Sequence, residues 1–97
     1  PEECGRRELL EEVGAVAGTM TDLGTLLPTP AYVDEVIHMY LAEHLTYTHQ
    51  KLDEGEFLEA EAVPLSRLVE EILAGTIRDA KTQAAILKTA LLLERRK

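Results

Sequence analysis

Cysteine, positive charge and long apolar runs are all scarce in this chain, and each scarcity removes a class of function. Cys4 is the one cysteine, so no internal disulfide forms and nothing requires an oxidising compartment. On a helix beside Arg6 and Arg7, a small buried thiol is favoured over a reactive one. Ten basic residues stand against eighteen acidic ones, a formal charge of -8. No net positive field draws in a phosphate backbone, so composition argues against nucleic acid as a partner. A small phosphate-containing substrate stays open, provided divalent cations bridge acidic side chains to its phosphates. No apolar run approaches the roughly 20 residues that span a bilayer, and no signal-like segment opens the chain. The expectation is a soluble, intracellular protein, cytoplasmic and without a membrane partner.

What is present suffices for one domain. Ninety-seven residues, 45% of them apolar, lie near the small end of chains that bury a self-sufficient core, so a single domain over 1–97 is expected. Glu2 to Val13 holds good helix formers, with Leu9, Leu10 and Val13 on one stripe and Gly14 as the stop. Ala15 to Leu27 leans to strand, and the prolines of PTPAY (Pro28 to Tyr32) mark a loop. Asp34 to Leu45 alternates, with Ile37, Met39 and Leu41 on one face and Val36, His38 and Tyr40 on the other. Both faces are largely apolar, the pattern of a strand covered on both sides. A shorter strand is expected at Phe57 to Val63, ended by Pro64. A helix follows from about Ser66 to Ala74, with Leu68, Val69, Ile72 and Leu73 on its core side and Gly75 as its stop. The last helix takes Asp79 as N-cap and runs to the C-terminal Arg95, Arg96 and Lys97. The order is that of one compact α/β unit without internal repeats.

The run RELLEEVG poses the functional question. On a helix Glu8 and Glu12 are four apart and Glu11 is three from Glu8, so all three crowd one side. A solvated face with an Arg7–Glu11 pair accounts for this, because like charges at that spacing repel by only a few tenths of a kcal/mol. Carboxylates so spaced also make a platform for hard divalent cations, since Mg2+ prefers oxygen ligands and keeps its own waters. The cluster alone leaves both readings open. Downstream, DEGE reads as a polar turn around Gly55. His38 is expected at a core edge, His44 at the surface and His49 in a loop, with no zinc spacing among them. Ser66 has no histidine and acid arranged to make it a nucleophile.

The order of residue types goes further. Arg7, Glu8, Leu9, Glu11, Glu12, Gly14 and Ala15 follow in register the second half of the Nudix box, so the chain resembles the Nudix hydrolases. The full box begins with a glycine, five residues, a glutamate and seven residues. That glutamate would fall two positions before Pro1, and the glycine earlier still. TPAYVDEVIHMYLAE, LDEGEFLEAEAVPL and GTIRDAKT are similar to segments of one subgroup, the ADP-ribose pyrophosphatases, with Ala31 where those members usually carry glycine. The likeness covers essentially the whole chain.

The resemblance implies a Nudix-type α/β/α sandwich with a mixed sheet, present as its C-terminal portion with the N-terminal strands absent from this chain. Either a fragment of a longer enzyme or an assembly that compensates by strand exchange is expected. It implies Mg2+- or Mn2+-dependent hydrolysis of a nucleoside diphosphate linked to another moiety, here ADP-ribose giving AMP and ribose 5-phosphate. By the same resemblance Glu8 and Glu12 are metal ligands, Glu11 ligates or orients a metal-bound water, and Arg7 holds the glutamates by ion pairing. Glu54 matches the general base of some members and Glu56 a further metal ligand. A homodimer is implied as well. Two alternatives stand beside this reading. One is a Nudix hydrolase for a nucleotide sugar or modified nucleoside triphosphate; the other is a non-catalytic acidic interaction module.

Overall fold

The computed structural model describes residues 1–28, 35–48 and 62–97. Among the described residues, three helices and two strands follow in the order α1 (Glu2–Val13), β1 (Ala15–Leu26), β2 (Ile37–Tyr47), α2 (Leu65–Leu73) and α3 (Ala80–Arg95). The two strands pair as an antiparallel sheet, in keeping with an α/β fold. The described chain falls into two compact units.

The first unit holds Pro1–Asp22 and the described part of Tyr40–Glu61. Helix α1 starts at Pro1, whose carbonyl accepts from the Gly5 N–H at 2.9 Å. It stops at Gly14, which is left-handed (φ 72°, ψ 27°) and donates its N–H to Leu10 at 3.0 Å. Glycine adopts that conformation at no steric cost, whereas an L side chain there pays about 1–2 kcal/mol. The turn delivers the chain straight into β1, and the Gly14 carbonyl accepts both the backbone N–H (2.7 Å) and the hydroxyl (3.1 Å) of Thr48. Ala15 and Ala17 are buried, while Val16 between them is 45% exposed, so this end of β1 alternates as a half-covered strand should. A Cβ on Gly5 would lie in ordinary contact with Met20 at 3.4 Å and Tyr40 at 3.6 Å, which places this face of α1 against both strands.

Strand β2 differs from expectation at both ends. It begins at Ile37 rather than Asp34, with Glu35 and Val36 exposed and outside it, and it continues past Leu45 to Tyr47. Met39 is buried and Tyr40 to Glu43 are half-buried, but His38 and the residues from His44 onward are exposed. Cover on both faces is therefore confined to the middle of the strand. His38 lies on the open side opposite Met39, which corrects its expected core-edge place. The alternation breaks at His44, whose φ of 56° is left-handed for a non-glycine residue.

The second unit holds Leu23–Met39 as far as described, and Ala62–Lys97. Helix α2 places Leu65, Leu68, Val69 and Ile72 on one half-buried stripe and packs on α3. Leu73, expected in that stripe, is 74% exposed because the helix ends there and its position lies at the stripe's edge. Gly75 (φ 83°) closes the end as a Schellman turn, with Thr76 N–H to Glu71 at 2.9 Å and Gly75 N–H to Ile72 at 3.1 Å. Ala62 and Val63 lie outside any strand, and the rest of the strand expected at Phe57 to Val63 falls outside the described residues. In α3 the Lys88 ammonium donates to the Leu23 carbonyl of β1 at 2.7 Å.

Asp79 is the N-cap that its sequence position predicts. Its Oδ2 accepts the Thr82 N–H and the Thr82 hydroxyl, both at 2.8 Å, and those bonds hold its carboxyl below the ordinary 3.8. A depressed folded-state pKa means the contribution is fully present above the unfolded value and fades as pH falls through the folded one. Replacing Asp79 by Ala is therefore expected to lower the thermal midpoint at pH 7. The gap to the unaltered chain should narrow only below about pH 4, as a melting series in pH would read out.

Candidate metal centre

Every residue that could hold a cation in the described part of the resembling motif lies on α1. At 3.6 residues per turn, Glu11, Cys4, Glu8 and Glu12 fall within roughly 100° of the helix circumference. Leu9, Leu10 and Val13, all half-buried, occupy the other side. The helix thus turns its apolar stripe toward the sheet and its carboxylates outward, and Glu8, Glu11 and Glu12 are all exposed. Successive turns set Glu8 and Glu12 about 6 Å apart along the axis.

Arg7 lies within ion-pair reach of Glu11, Nε to Oε1 3.9 Å, with both side chains about two-thirds exposed. A contact that long and that wet contributes about 0.2–1 kcal/mol, so it orients Glu11 more than it stabilises the helix. The Arg7 Nη2 also approaches the Cys4 sulfur at 3.7 Å, and that thiol donates toward Glu8 Oε1 at 3.7 Å. Cys4 is exposed, which corrects the buried thiol expected from the sequence. It sits on the carboxylate arc, and only the opposite arc of α1 meets the sheet.

Arg6 is the residue whose part in this arrangement the sequence reading passed over. Its Nη1 donates to the carbonyl of buried Ala17 in β1 at 2.9 Å, while its Nε pairs with Glu2 at 3.4 Å. The signal was present: Arg6, Leu9, Leu10 and Val13 follow the i, i+3, i+4, i+7 spacing of the inward stripe. Near the same end of the unit, the Tyr40 hydroxyl is pushed above its ordinary 10.0, first by desolvation and then by Asp22 and Glu2.

The donor chemistry of the arc suits a hard divalent cation: carboxylate oxygens without competing thiolate or imidazole pairs. Among the described residues, no three acidic, histidine or cysteine side chains close into a cage. Mg2+ does not require one, because it keeps several waters and is held by one or two carboxylates together with substrate phosphates. The outward Glu8 and Glu12 fit that mode. Glu54 and Glu56 lie outside the described residues, as do Tyr32, Asp34 and His49.

The family model of the NUDIX domain matches residues 1–85. The chain belongs to the Nudix family. This Nudix chain is 38% identical to the ADP-ribose pyrophosphatase of Bacillus subtilis (strain 168) over 97 residues, covering 94% of the chain and 52% of that protein. It is 35% identical over 85 residues to the GDP-mannose pyrophosphatase of Salmonella typhimurium, and 36% identical over 85 residues to that of Escherichia coli O1:K1. In both cases 84% of this chain and 44% of the relative are covered. The chain spans about half the length of the curated relatives it matches. The membership places Arg7, Glu8, Glu11, Glu12 and Gly14 in a Nudix sequence. The structure adds why the last is glycine: the helix that carries the carboxylates has to end in a left-handed turn.

Proposed function

We propose that this chain is a single partial Nudix domain carrying the metal-holding part of a hydrolase for a nucleoside diphosphate linked to another moiety. ADP-ribose, cleaved to AMP and ribose 5-phosphate, is the substrate the reading favours. The observation that carries the proposal is the outward arc of Glu8, Glu11 and Glu12 on a helix ended by Gly14, in the register of the Nudix box. The Bacillus subtilis relative, an ADP-ribose pyrophosphatase matched over 94% of this chain, supports the choice of substrate.

In this reading Glu8 and Glu12 hold Mg2+ or Mn2+, with Glu56 as a further ligand. When bound, the cation supplies charge neutralisation at the diphosphate and makes water acidic enough to attack phosphorus. Arg7 keeps Glu11 oriented, and Glu11 would ligate the cation or align the attacking water. Glu54 accepts the proton that the water gives up. A chain of net charge -8 repels an anionic substrate, so the carboxylates serve it only when a cation stands between them. A homodimer in the cytoplasm belongs to the same proposal.

A second reading has its own support, because the Salmonella and Escherichia relatives are GDP-mannose pyrophosphatases. The separating experiment incubates the chain with Mg2+ and ADP-ribose, GDP-mannose or a nucleoside triphosphate, and resolves the released nucleotides by chromatography. AMP from ADP-ribose is the expected dominant product. GMP from GDP-mannose would transfer the assignment to nucleotide sugars. No release from any of them, with no response to Mg2+, would favour the interaction module.

A further inference from the structure

We infer that Arg6 is a positioning residue for the metal centre, setting the rotation of α1 and thereby the direction in which Glu8 and Glu12 point. The inference rests on the metal-holding reading of those two carboxylates. It concerns a residue that lies outside the motif positions and, among the described residues, touches no proposed ligand.

Helix α1 is held at its end by the Gly14–Thr48 hydrogen bonds and packs on the strands at Gly5, but among the described residues Arg6 gives its body a directional side-chain tie to the sheet. None of its residues is fully buried, its first turn has no side-chain cap, and its apolar stripe consists of three half-buried side chains. Apolar contacts are non-directional, so such a stripe permits the helix to roll by some degrees. A hydrogen bond does not. The Arg6 guanidinium is part-buried on the same stripe and donates to the Ala17 carbonyl at 2.9 Å, a charge-assisted bond to a strand residue only 5% exposed. Glu2, one turn before it, takes the Nε side of the fork at 3.4 Å and holds the side chain in line.

The lever arm makes the roll matter. Side-chain ends lie about 5–6 Å from a helix axis, so a roll of 20° displaces a carboxylate by about 2 Å. Mg2+ and Mn2+ sites tolerate a few tenths of an ångström. A tie on the inward stripe thus governs affinity on the outward one, through the rigid backbone between them.

The test is isothermal titration of Mn2+ into the 97-residue chain and its Arg6→Met, Arg6→Lys and Glu8→Gln/Glu12→Gln variants. Each is measured well below its own unfolding midpoint, with helicity checked by circular dichroism. Arg6→Met is expected to weaken Mn2+ binding about 10-fold, the scale of lost outer-shell support. Arg6→Lys keeps one donor for the Ala17 carbonyl and is expected to stay within about threefold of the unaltered chain. Affinity unchanged in Arg6→Met, with the Glu8→Gln/Glu12→Gln variant impaired, would overturn the role of Arg6 and leave the metal centre standing. Equal losses in Arg6→Lys and Arg6→Met would also overturn it, and the lysine variant alone decides if the methionine variant does not fold. Binding indifferent to Glu8→Gln/Glu12→Gln would overturn the metal centre and, with it, the role of Arg6.

Discussion

The chain carrying Glu8→Gln and Glu12→Gln is expected to hydrolyse ADP-ribose at least about 1,000-fold more slowly than the unaltered chain while melting at the same temperature or slightly higher. The magnitude follows from the ligands themselves. Losing an outer-shell partner of a metal costs 10–100-fold, and two direct carboxylate ligands cost more than one such partner. The sign on stability follows from the helix. Glu8 and Glu12 are exposed like charges four apart, repelling by a few tenths of a kcal/mol, and glutamine is nearly as good a helix former as glutamate. Among the described residues, only a weak thiol contact, Cys4 to Glu8 at 3.7 Å, is given up. A rate that falls together with a collapsing melting temperature would mean that the two glutamates hold the fold. The metal role requires the two to separate, which matched kinetics and melting curves on one preparation will show.

The second large effect is expected at Gly18, which is not a motif position. A Cβ built there lies 2.9 Å from the His44 Cβ and 3.1 Å from the His44 carbonyl oxygen. The first is shorter than real Cβ contacts and the second is tighter than most, and neither atom belongs to a flexible side-chain end that could swing away. His44 is already left-handed at φ 56°, and its ring Nδ1 is 3.3 Å from the Thr19 hydroxyl. Gly18→Ala should therefore cost about 2–3 kcal/mol, read as a lowered urea midpoint with unchanged slope. The companion His44→Gly removes one of the two clashing atoms and the left-handed strain, so Gly18→Ala in that background should cost distinctly less. The coupling between the two sites, measured as a double-mutant cycle, is the sensitive quantity. Additive losses would show that the close approach of these strands is not what requires glycine.

These two expectations mark what the chain disclosed in advance and what it did not. The bounds of α1, its stop at Gly14, the stop of α2 at Gly75 and the cap at Asp79 were legible because each is a local signal. A left-handed glycine or a capping carboxylate acts on backbone within one turn. The carboxylate arc was legible for the same reason, as helical spacing alone sets Glu8, Glu11 and Glu12 on one side. The Gly18–His44 contact was not, because it joins residues 26 apart whose meeting depends on strand register. Exposure of Cys4 and His38 was missed because burial depends on which face a neighbouring element covers, and residue type says little about that. Arg6 fell between the two cases. Its place on the inward stripe was readable, but its acceptor, the Ala17 carbonyl, was not.

The proposed placement of the metal centre on α1 has a physical logic in this chain. A rigid helix can present carboxylates to solvent at fixed spacing while its opposite face is held by Gly5 packing, the Arg6 bond and the Gly14–Thr48 clasp. Each of those holds lies within the first compact unit, so the carboxylate face and its support form one local structure. The most direct measurement is isothermal titration of Mg2+ or Mn2+ into the unaltered chain beside its Glu8→Gln/Glu12→Gln variant. A saturable heat in the former that vanishes in the latter is the predicted result. Weak and equal heats in both would contradict the metal centre, and would leave RELLEEVG as a solvated helix face.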